Sequence, residues 1–191
     1  VARHAFVPES RRADAYRDTP LPIGEGQTIS APHMVAIMTD LLELSPGDHV
    51  LEIGTGCGYH AAVTAEVVGP ENVYSVEYHD RLAQQASETL RDLGVEDALA
   101  GSGVKGLSES NRAKIDYETM LEIDPEYILL RGHEAKTAGE FESTVLGFMQ
   151  EHSVASELTA VQNGNVYRGG PIYQGPIYNL FLTERAAGQF Y

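Results

Sequence analysis

The run His49-Val-Leu-Glu-Ile-Gly-Thr-Gly-Cys-Gly-Tyr59 constrains the fold of this chain more than any other stretch. A short apolar segment of strand character enters a glycine-dense turn and leaves it at a helix start. Twenty-three residues past Gly54 a second strand-like run, Asn72-Val-Tyr-Ser-Val-Glu77, ends in a carboxylate. A strand, a glycine loop and an acid at the tip of the next strand make a nucleoside-binding half-site. Glycine lets backbone approach a ligand closely, and the acid can accept hydrogen bonds from both ribose hydroxyls. The spacing narrows the choice of nucleoside. Gly54, Gly56 and Gly58 form G-x-G-x-G, whereas a dinucleotide fingerprint has its third glycine one residue later. There is no G-x-x-x-x-G-K-[ST] phosphate loop, and no lysine stands near the turn to neutralise a pyrophosphate. The pattern suits S-adenosylmethionine, which carries no phosphate. The alternative is a tight strand-to-helix turn that serves packing alone.

Around this unit the punctuation is regular. Pro20, Pro22, Gly24 and Gly26 mark residues 19–30 as loop, ending at a helix start where Ser30 can cap and Pro32 sits in the first turn. Met34, Ile37, Met38, Leu41 and Leu42 recur at helical spacing. Pro46-Gly47 breaks the chain before the first strand. The spacing predicts a helix from Tyr59 to Val68, closed by Gly69-Pro70, and another capped by Asp80 and stopped by Gly94. Strands alternating with helices over residues 33–94 imply a parallel sheet, with ligands bound beyond the carboxyl ends of its strands.

Beyond residue 100 the texture changes. Lysine is absent through residue 104, and four of the five phenylalanines lie past residue 140. Gly101-Ser102-Gly103 and Gly106 read as a flexible stretch. Asp116 is placed to cap a helix over residues 117–123, and residues 127–130 read as a short buried strand. Residues 140–150 are amphipathic, with Phe141, Val145, Leu146 and Met149 on one face. Asn163-Gly164 is a two-residue hairpin signal joining residues 158–161 to Val166-Tyr167. Gly-Pro-Ile-Tyr occurs at 170–173 and again at 175–178, and a last helix is expected over 178–190.

A hydrophobic fraction of 42% in 191 residues is enough for a sizeable core in one domain or two small ones. The net charge of −15 argues against nucleic acid and anionic membranes as partners. Cys57 is the single cysteine, so no disulfide forms within the chain. No leader pattern opens the chain, and no apolar run reaches the roughly 18 residues a membrane helix needs. The expectation is a soluble, cytoplasmic protein.

With these residues in view, about residues 16–97 resemble protein-L-isoaspartate O-methyltransferases. The resemblance is carried by Pro22-Ile-Gly-Glu-Gly-Gln-Thr-Ile-Ser-Ala-Pro-His-Met34, by Val50-Leu-Glu-Ile-Gly-Thr-Gly-Cys-Gly-Tyr-His60 and by Val73-Tyr-Ser-Val-Glu77. The first of these is the most specific, because the glycine turn is common to many methyltransferases. The resemblance implies a Rossmann-like S-adenosylmethionine-dependent core, a three-layer αβα arrangement on a parallel sheet, and methyl transfer to the α-carboxyl of isoaspartyl residues in damaged proteins. It implies that Glu52, Gly54, Gly56 and Gly58 line the methionine side of the cofactor site, that Thr55, Cys57 and Tyr59 are cofactor-binding residues beside them, and that Glu77 holds the ribose. Thr28 and Ser30 would stand beside the acceptor carboxylate. The plainer alternatives are an N-cap for Ser30, a loop role for Thr28, a half-exposed strand position for Glu52 and a small loop residue for Cys57.

The second half departs from that family. Gly101-Ser102-Gly103 has serine where the family's adenine-side aspartate belongs, and the closing strands are not recognisable, so the core is incomplete or atypical there. Residues 104–191 instead resemble the C-terminal lobe of iron-siderophore or cobalamin substrate-binding proteins of ABC transporters. The carrying segments are Lys114-Ile-Asp-Tyr-Glu-Thr-Met-Leu-Glu-Ile-Asp-Pro-Glu-Tyr-Ile-Leu-Leu130 and Leu158-Thr-Ala-Val-Gln-Asn-Gly-Asn-Val-Tyr167. The division is then residues 1–100, an N-terminal segment with the cofactor-binding half, and residues 101–191, an α/β segment of the binding-protein type. A metal-chelate-binding fragment without enzymatic activity is the alternative function, and a single divergent methyltransferase is the alternative origin. Seven histidines fall into no metal-ligand motif, so no metal is expected. His133-Glu134 and the tyrosines 167, 173 and 178 read as surface or packing residues before ligand contacts.

Overall fold

The computed structural model describes residues 1–95, 117–131 and 138–169. Its centre is a four-stranded, wholly parallel sheet in the order β4-β3-β5-β6. The strands are β3 (Val50–Ile53), β4 (Val73–Val76), β5 (Tyr127–Arg131) and β6 (Val166–Gly169). A small antiparallel pair, β1 (Leu21–Gly24) and β2 (Gln27–Ile29), stands apart from it. Chain order and sheet order together place the reversal at β3. Its successor β4 lies on one side, whereas β5 and then β6 extend the other. In open parallel sheets the crevice forms where neighbouring strands lead away in opposite directions, beyond their carboxyl ends. Here that is the end of β3.

Both halves of the chain therefore share one sheet. The register runs Val50↔Tyr127 to Ile53↔Leu130 between β3 and β5. Its start is locked by the backbone N–H groups of Glu126 and Tyr127, which donate to His49 O at 2.9 and 3.2 Å, and by His49 N–H, which donates to Glu126 Oε2 at 3.0 Å.

Side chains alternate across the strands, and each face has its own cover. Val50 and Val73 pack with Ala61, Ala65 and Val68 of α2 (Tyr59–Val68). α1 (Pro32–Leu41) lies on α2, and α3 (Asp80–Asp92) closes over the same side through Leu82 and Leu90. Leu51, Val76, Ile128 and Val166 point the other way, into a cluster with Met120, Phe141, Met149 and Leu158. That face is covered by α4 (Tyr117–Ile123), α5 (Ala138–Phe141), α6 (Gly147–Glu151) and α7 (Thr159–Gln162), with one π-helical stretch, Glu142–Leu146, between α5 and α6. The parallel sheet is the one expected from the alternation of strands and helices, and the three-layer α/β arrangement is the one the resemblance implies. The face expected over 140–150 is also present, with Phe141 and Met149 buried and Val145 and Leu146 against the same cluster.

Four local expectations are corrected. Residues 19–30 are not loop throughout. Leu21, Ile23 and Ile29 are buried while Pro22 faces out, so the prolines and glycines sit at edge and turn positions that a two-stranded ribbon tolerates. Ser30 does not cap α1. The helix begins at Pro32 with Ala31 at the cap and no side-chain cap bond, because proline takes the first helical position and moves the cap one residue on. Asp80 likewise is the first helical residue of α3, behind His79, and makes no cap bond. Finally, Asn163-Gly164 is not a hairpin. Residues 159–162 are the short helix α7, Gly164 has φ 72° and donates its N–H to Val161 O, and β6 runs parallel to β5. The same left-handed glycine that serves a hairpin also ends a helix. The Gly101–Gly103 stretch, Asp116, His133-Glu134, the Gly-Pro-Ile-Tyr repeats and the expected last helix lie outside the described residues.

α7 has a remote cap. Asp124 accepts Thr159 N–H through Oδ1 and Thr159 Oγ1–H through Oδ2, both at 2.9 Å, while its own φ is 38°. Asp124→Ala is expected to lower stability by ~1–2 kcal/mol, the size of a lost cap on a left-handed residue, with Asp124→Asn costing less. Urea unfolding measures both.

Candidate functional site

The glycine turn grows directly out of β3. Gly54, Gly56 and Gly58 have φ of 109°, 59° and 87°, the left-handed region in which a side chain is strained. The first two N–H groups of the turn, of Gly54 and Thr55, both donate to Val76 O, the last residue of β4, at 2.7 and 3.1 Å. The turn is thus hooked onto the end of the neighbouring strand. Glu77 follows at once. Its Oε2 accepts Gly56 N–H at 2.7 Å and its Oε1 accepts His79 N–H at 2.9 Å. Turn and acid, separated in sequence, meet at hydrogen-bond distance at the carboxyl edge of the sheet.

Behind the turn runs a buried line of polar side chains. Glu52 and Ser75 are register partners on β3 and β4 and face α2. Ser75 Oγ donates to Glu52 Oε2 at 2.7 Å, and Thr55 Oγ1 lies 2.7 Å from Ser75 Oγ. Ser75 has spent its one hydrogen on Glu52, so Thr55 is the donor of that second bond. His60 Nδ1 stands 3.5 Å from Glu52 Oε1, and His60 Nε2 lies 3.1 Å from Thr39 Oγ1 on α1. Glu52, Thr55, His60 and Ser75 are 3%, 1%, 1% and 0% exposed. Glu52 is therefore an interior carboxylate and not the half-exposed strand residue of the plainer reading.

The other candidates divide. A β-carbon on Gly58 would meet Leu90 Cδ1 at 3.0 Å and Ala86 Cβ at 3.3 Å, so this glycine admits α3 to the turn. One on Gly56 would touch Ile23 Cδ1 at 3.4 Å, which sets the β1–β2 ribbon beside the turn. Thr28 lies exposed on that ribbon and Ser30 is half-buried just past it. Cys57 and Tyr59 pack into the N-terminal cluster with Phe6, Leu21 and Ile23. The Tyr59 ring meets Phe6 edge-on and carries the Arg3 guanidinium 5.1 Å from its centroid. Burial draws the Arg3 guanidinium below its ordinary pKa and pushes the Tyr59 hydroxyl up, with the Arg3 charge opposing the latter. Sequence reasoning missed His60, Ser75, Thr39 and Arg3. A polar residue at an inward strand position, as Ser75 is, was the available signal.

Near Ser30, His33 ties the chain before β1 to the start of α1. Its Nδ1 and its backbone N–H reach Asp18 Oδ1 at 2.6 and 3.2 Å. The side-chain bond, then the backbone bond, holds the exposed Asp18 carboxyl below the usual aspartate range. A depressed carboxyl favours the folded chain above its unfolded pKa and loses that contribution as pH falls through the folded value. His33→Ala is expected to move the Asp18 midpoint back up, read by carbon-detected NMR titration, and to flatten the acid limb of the stability curve between the two values.

Known proteins resemble parts of this chain. The family model described as protein-L-isoaspartate(D-aspartate) O-methyltransferase matches residues 1–113. A model described as periplasmic binding protein matches residues 82–173. Protein-L-isoaspartate O-methyltransferase 2 of Archaeoglobus fulgidus is 62% identical over 109 residues, 56% of this chain and 50% of that protein. The enzyme of that name from Ignicoccus hospitalis is 60% identical over 109 residues, 56% of this chain and 52% of its own length. The chain spans about half the length of the curated relatives it matches. Among solved structures, a Plasmodium falciparum protein titled a putative protein-L-isoaspartate O-methyltransferase in complex with S-adenosyl-L-homocysteine aligns at 26% identity. It covers 70% of this chain and 63% of that one, with a TM-score of 0.49. With its family model matching more than half of its residues, this chain belongs to the protein-L-isoaspartate(D-aspartate) O-methyltransferase family.

Proposed function

We propose that this chain binds S-adenosylmethionine over the glycine turn and passes its methyl group to the α-carboxyl of isoaspartyl residues in damaged proteins. The observation that carries the reading is the 2.7 Å bond from Gly56 N–H to Glu77 Oε2, which puts turn and acid in one place at the sheet's carboxyl edge. The donor set fits this cofactor. Each Glu77 oxygen has accepted one backbone N–H and keeps a lone pair for a ribose hydroxyl. The turn has no lysine, in keeping with a ligand that lacks phosphate.

In this reading Gly54, Gly56 and Glu77 touch the cofactor, Glu52 and Thr55 support the turn from behind, and Cys57, Gly58 and Tyr59 hold its exit against the N-terminal segment and α3. The bound sulfonium supplies an electrophilic methyl group. The acceptor carboxylate is ionised at neutral pH, so this chain needs no strong base. Its task is to place the acceptor in line and exclude water. Thr28 and Ser30, small hydroxyls on and just past the ribbon whose Ile23 stands beside the turn, orient that carboxylate without competing for the methyl. Residues 1–100 form the cofactor half, and residues 101–191 contribute β5 and β6 as the other wall of the crevice. The cytoplasm is the compartment that goes with this cofactor. Among the described residues no helix is long and apolar enough to cross a membrane.

The test is a calorimetric titration with S-adenosylhomocysteine, followed by methyl-ester formation on an isoaspartyl peptide against its aspartyl counterpart. One site per chain and ester on the isoaspartyl peptide alone are expected. Absence of heat removes the reading. The match over residues 82–173 favours a second one, a metal-chelate binder without catalysis. Cobalamin absorbance separates the two. A saturating change supports the binder, and a flat titration beside heat with S-adenosylhomocysteine supports the methyltransferase.

A further inference from the structure

The polar line behind the glycine turn contains one group that methyl transfer does not use. His60, on the first turn of α2, is 1% exposed, and its two ring nitrogens face different elements. Nε2 lies 3.1 Å from Thr39 Oγ1, and that hydroxyl gives its one hydrogen to Val35 O at 2.9 Å. Nε2 is therefore the donor in that contact. Nδ1 makes no hydrogen bond and is sealed from solvent, and 3.5 Å away stands Glu52 Oε1. A nitrogen lone pair facing a carboxylate lone pair repels, whereas a hydrogen between them attracts. Glu52's other oxygen already accepts Ser75 Oγ–H.

We propose that His60 is the positioning residue for Glu52, with one hydrogen, taken up from solvent and shared by the pair, bridging Nδ1 and Oε1 while Nε2 keeps its own. The inference rests on the reading that Glu52 supports the methionine side of the cofactor site. The last torsion of a glutamate is broad and imposes little preference of its own, so partners must set the carboxylate plane. Ser75 ties one oxygen to β4 and His60 ties the other to α2, while Thr39 anchors the imidazole to α1. The plane so set fixes Ser75, and through it the Thr55 hydroxyl within the glycine turn. The helix layer is thereby coupled to the turn that receives the ligand.

Two isosteric substitutions separate this role from simple packing. Asparagine sets its amide nitrogen near the place of Nδ1, and glutamine near that of Nε2. His60→Asn keeps the donor toward Glu52 and gives up Thr39; His60→Gln does the reverse. With the full chain and S-adenosylhomocysteine as titrant, His60→Asn is expected to bind within about threefold of the unsubstituted protein. His60→Gln is expected to lose about tenfold or more, the scale on which outer partners of a binding group act. Equal losses, or a greater loss in His60→Asn, overturn the proposal. A second measurement needs no ligand and no substitution. Proton NMR of the ¹⁵N-labelled chain should show one downfield, slowly exchanging hydrogen coupled to the His60 ring on its Nδ1 side. Its absence overturns the proposal. Its presence beside a flat S-adenosylhomocysteine titration leaves His60 as the partner of Glu52 and removes the methyltransferase reading instead.

Discussion

Glu77→Ala is expected to weaken S-adenosylhomocysteine binding by about 100-fold. Two hydrogen bonds to a charged acceptor, at the low end of ~1.5–3 kcal/mol each, amount to about 3 kcal/mol, and each ~1.4 kcal/mol is a factor of ten. The substitution also strips the acceptor from Gly56 N–H and His79 N–H, while the Gly54 and Thr55 bonds to Val76 O keep the turn on β4. Glu77→Gln retains one oxygen and no charge and should fall between the two. Because Glu77 is only half-buried, the melting temperature should move little in either variant, which keeps the loss assignable to the site. Calorimetry of the three proteins decides it. Unchanged affinity in Glu77→Ala would mean that turn and acid meet for structural reasons alone.

Gly58→Val is expected to cost ~2–6 kcal/mol of folding stability. A non-glycine residue at φ 87° carries ~1–3 kcal/mol of backbone strain. Its β-carbon would stand 3.0 Å from Leu90 Cδ1 and 3.3 Å from Ala86 Cβ, and both neighbours are fully buried, so overpacking adds another ~1–3 kcal/mol. Gly94→Ala provides the contrast. Its φ is also positive, at 70°, but nothing lies within 4 Å of an added β-carbon, so only the strain of about 1 kcal/mol is expected. Urea unfolding of the two variants separates strain from crowding. Equal midpoints would show that α3 does not press on the turn. The result bears on function because Gly58 belongs to the same five-residue turn as Gly56, and its glycine is required both by its own backbone conformation and by the helix packed on it.

That the glycine turn and Glu77 meet could be read from spacing, because strand, turn and strand are consecutive, and a parallel pair joined by one helix has a single sensible arrangement. Residues 59–68 could be read as a helix because Gly58 and Gly69, both left-handed, bracket them. Misreadings arose where one local signal serves two structures. Asn163-Gly164 ends a helix and not a hairpin, and Pro22 belongs to a ribbon edge and not to loop. His60 and Thr39 were invisible for a different reason. Each is an ordinary polar residue until β3, β4, α1 and α2 bring them into line.

The amino-acid order alone determined the repeating strand–helix unit, the glycine turn and the acid that follows it, since hydrophobic period, glycine conformation and short connections are properties of neighbours along the chain. Folding in three dimensions decided that β5, from the half that resembles a different family, pairs with β3 in the same sheet, and that Glu52 is an interior carboxylate facing a histidine. The first joins residues far apart along the chain, and the second depends on how α2 folds back over β3 and β4. Backbone hydrogen bonding is nearly indifferent to side-chain identity, and a buried polar group is defined by what surrounds it, so neither could be read before the layers had closed.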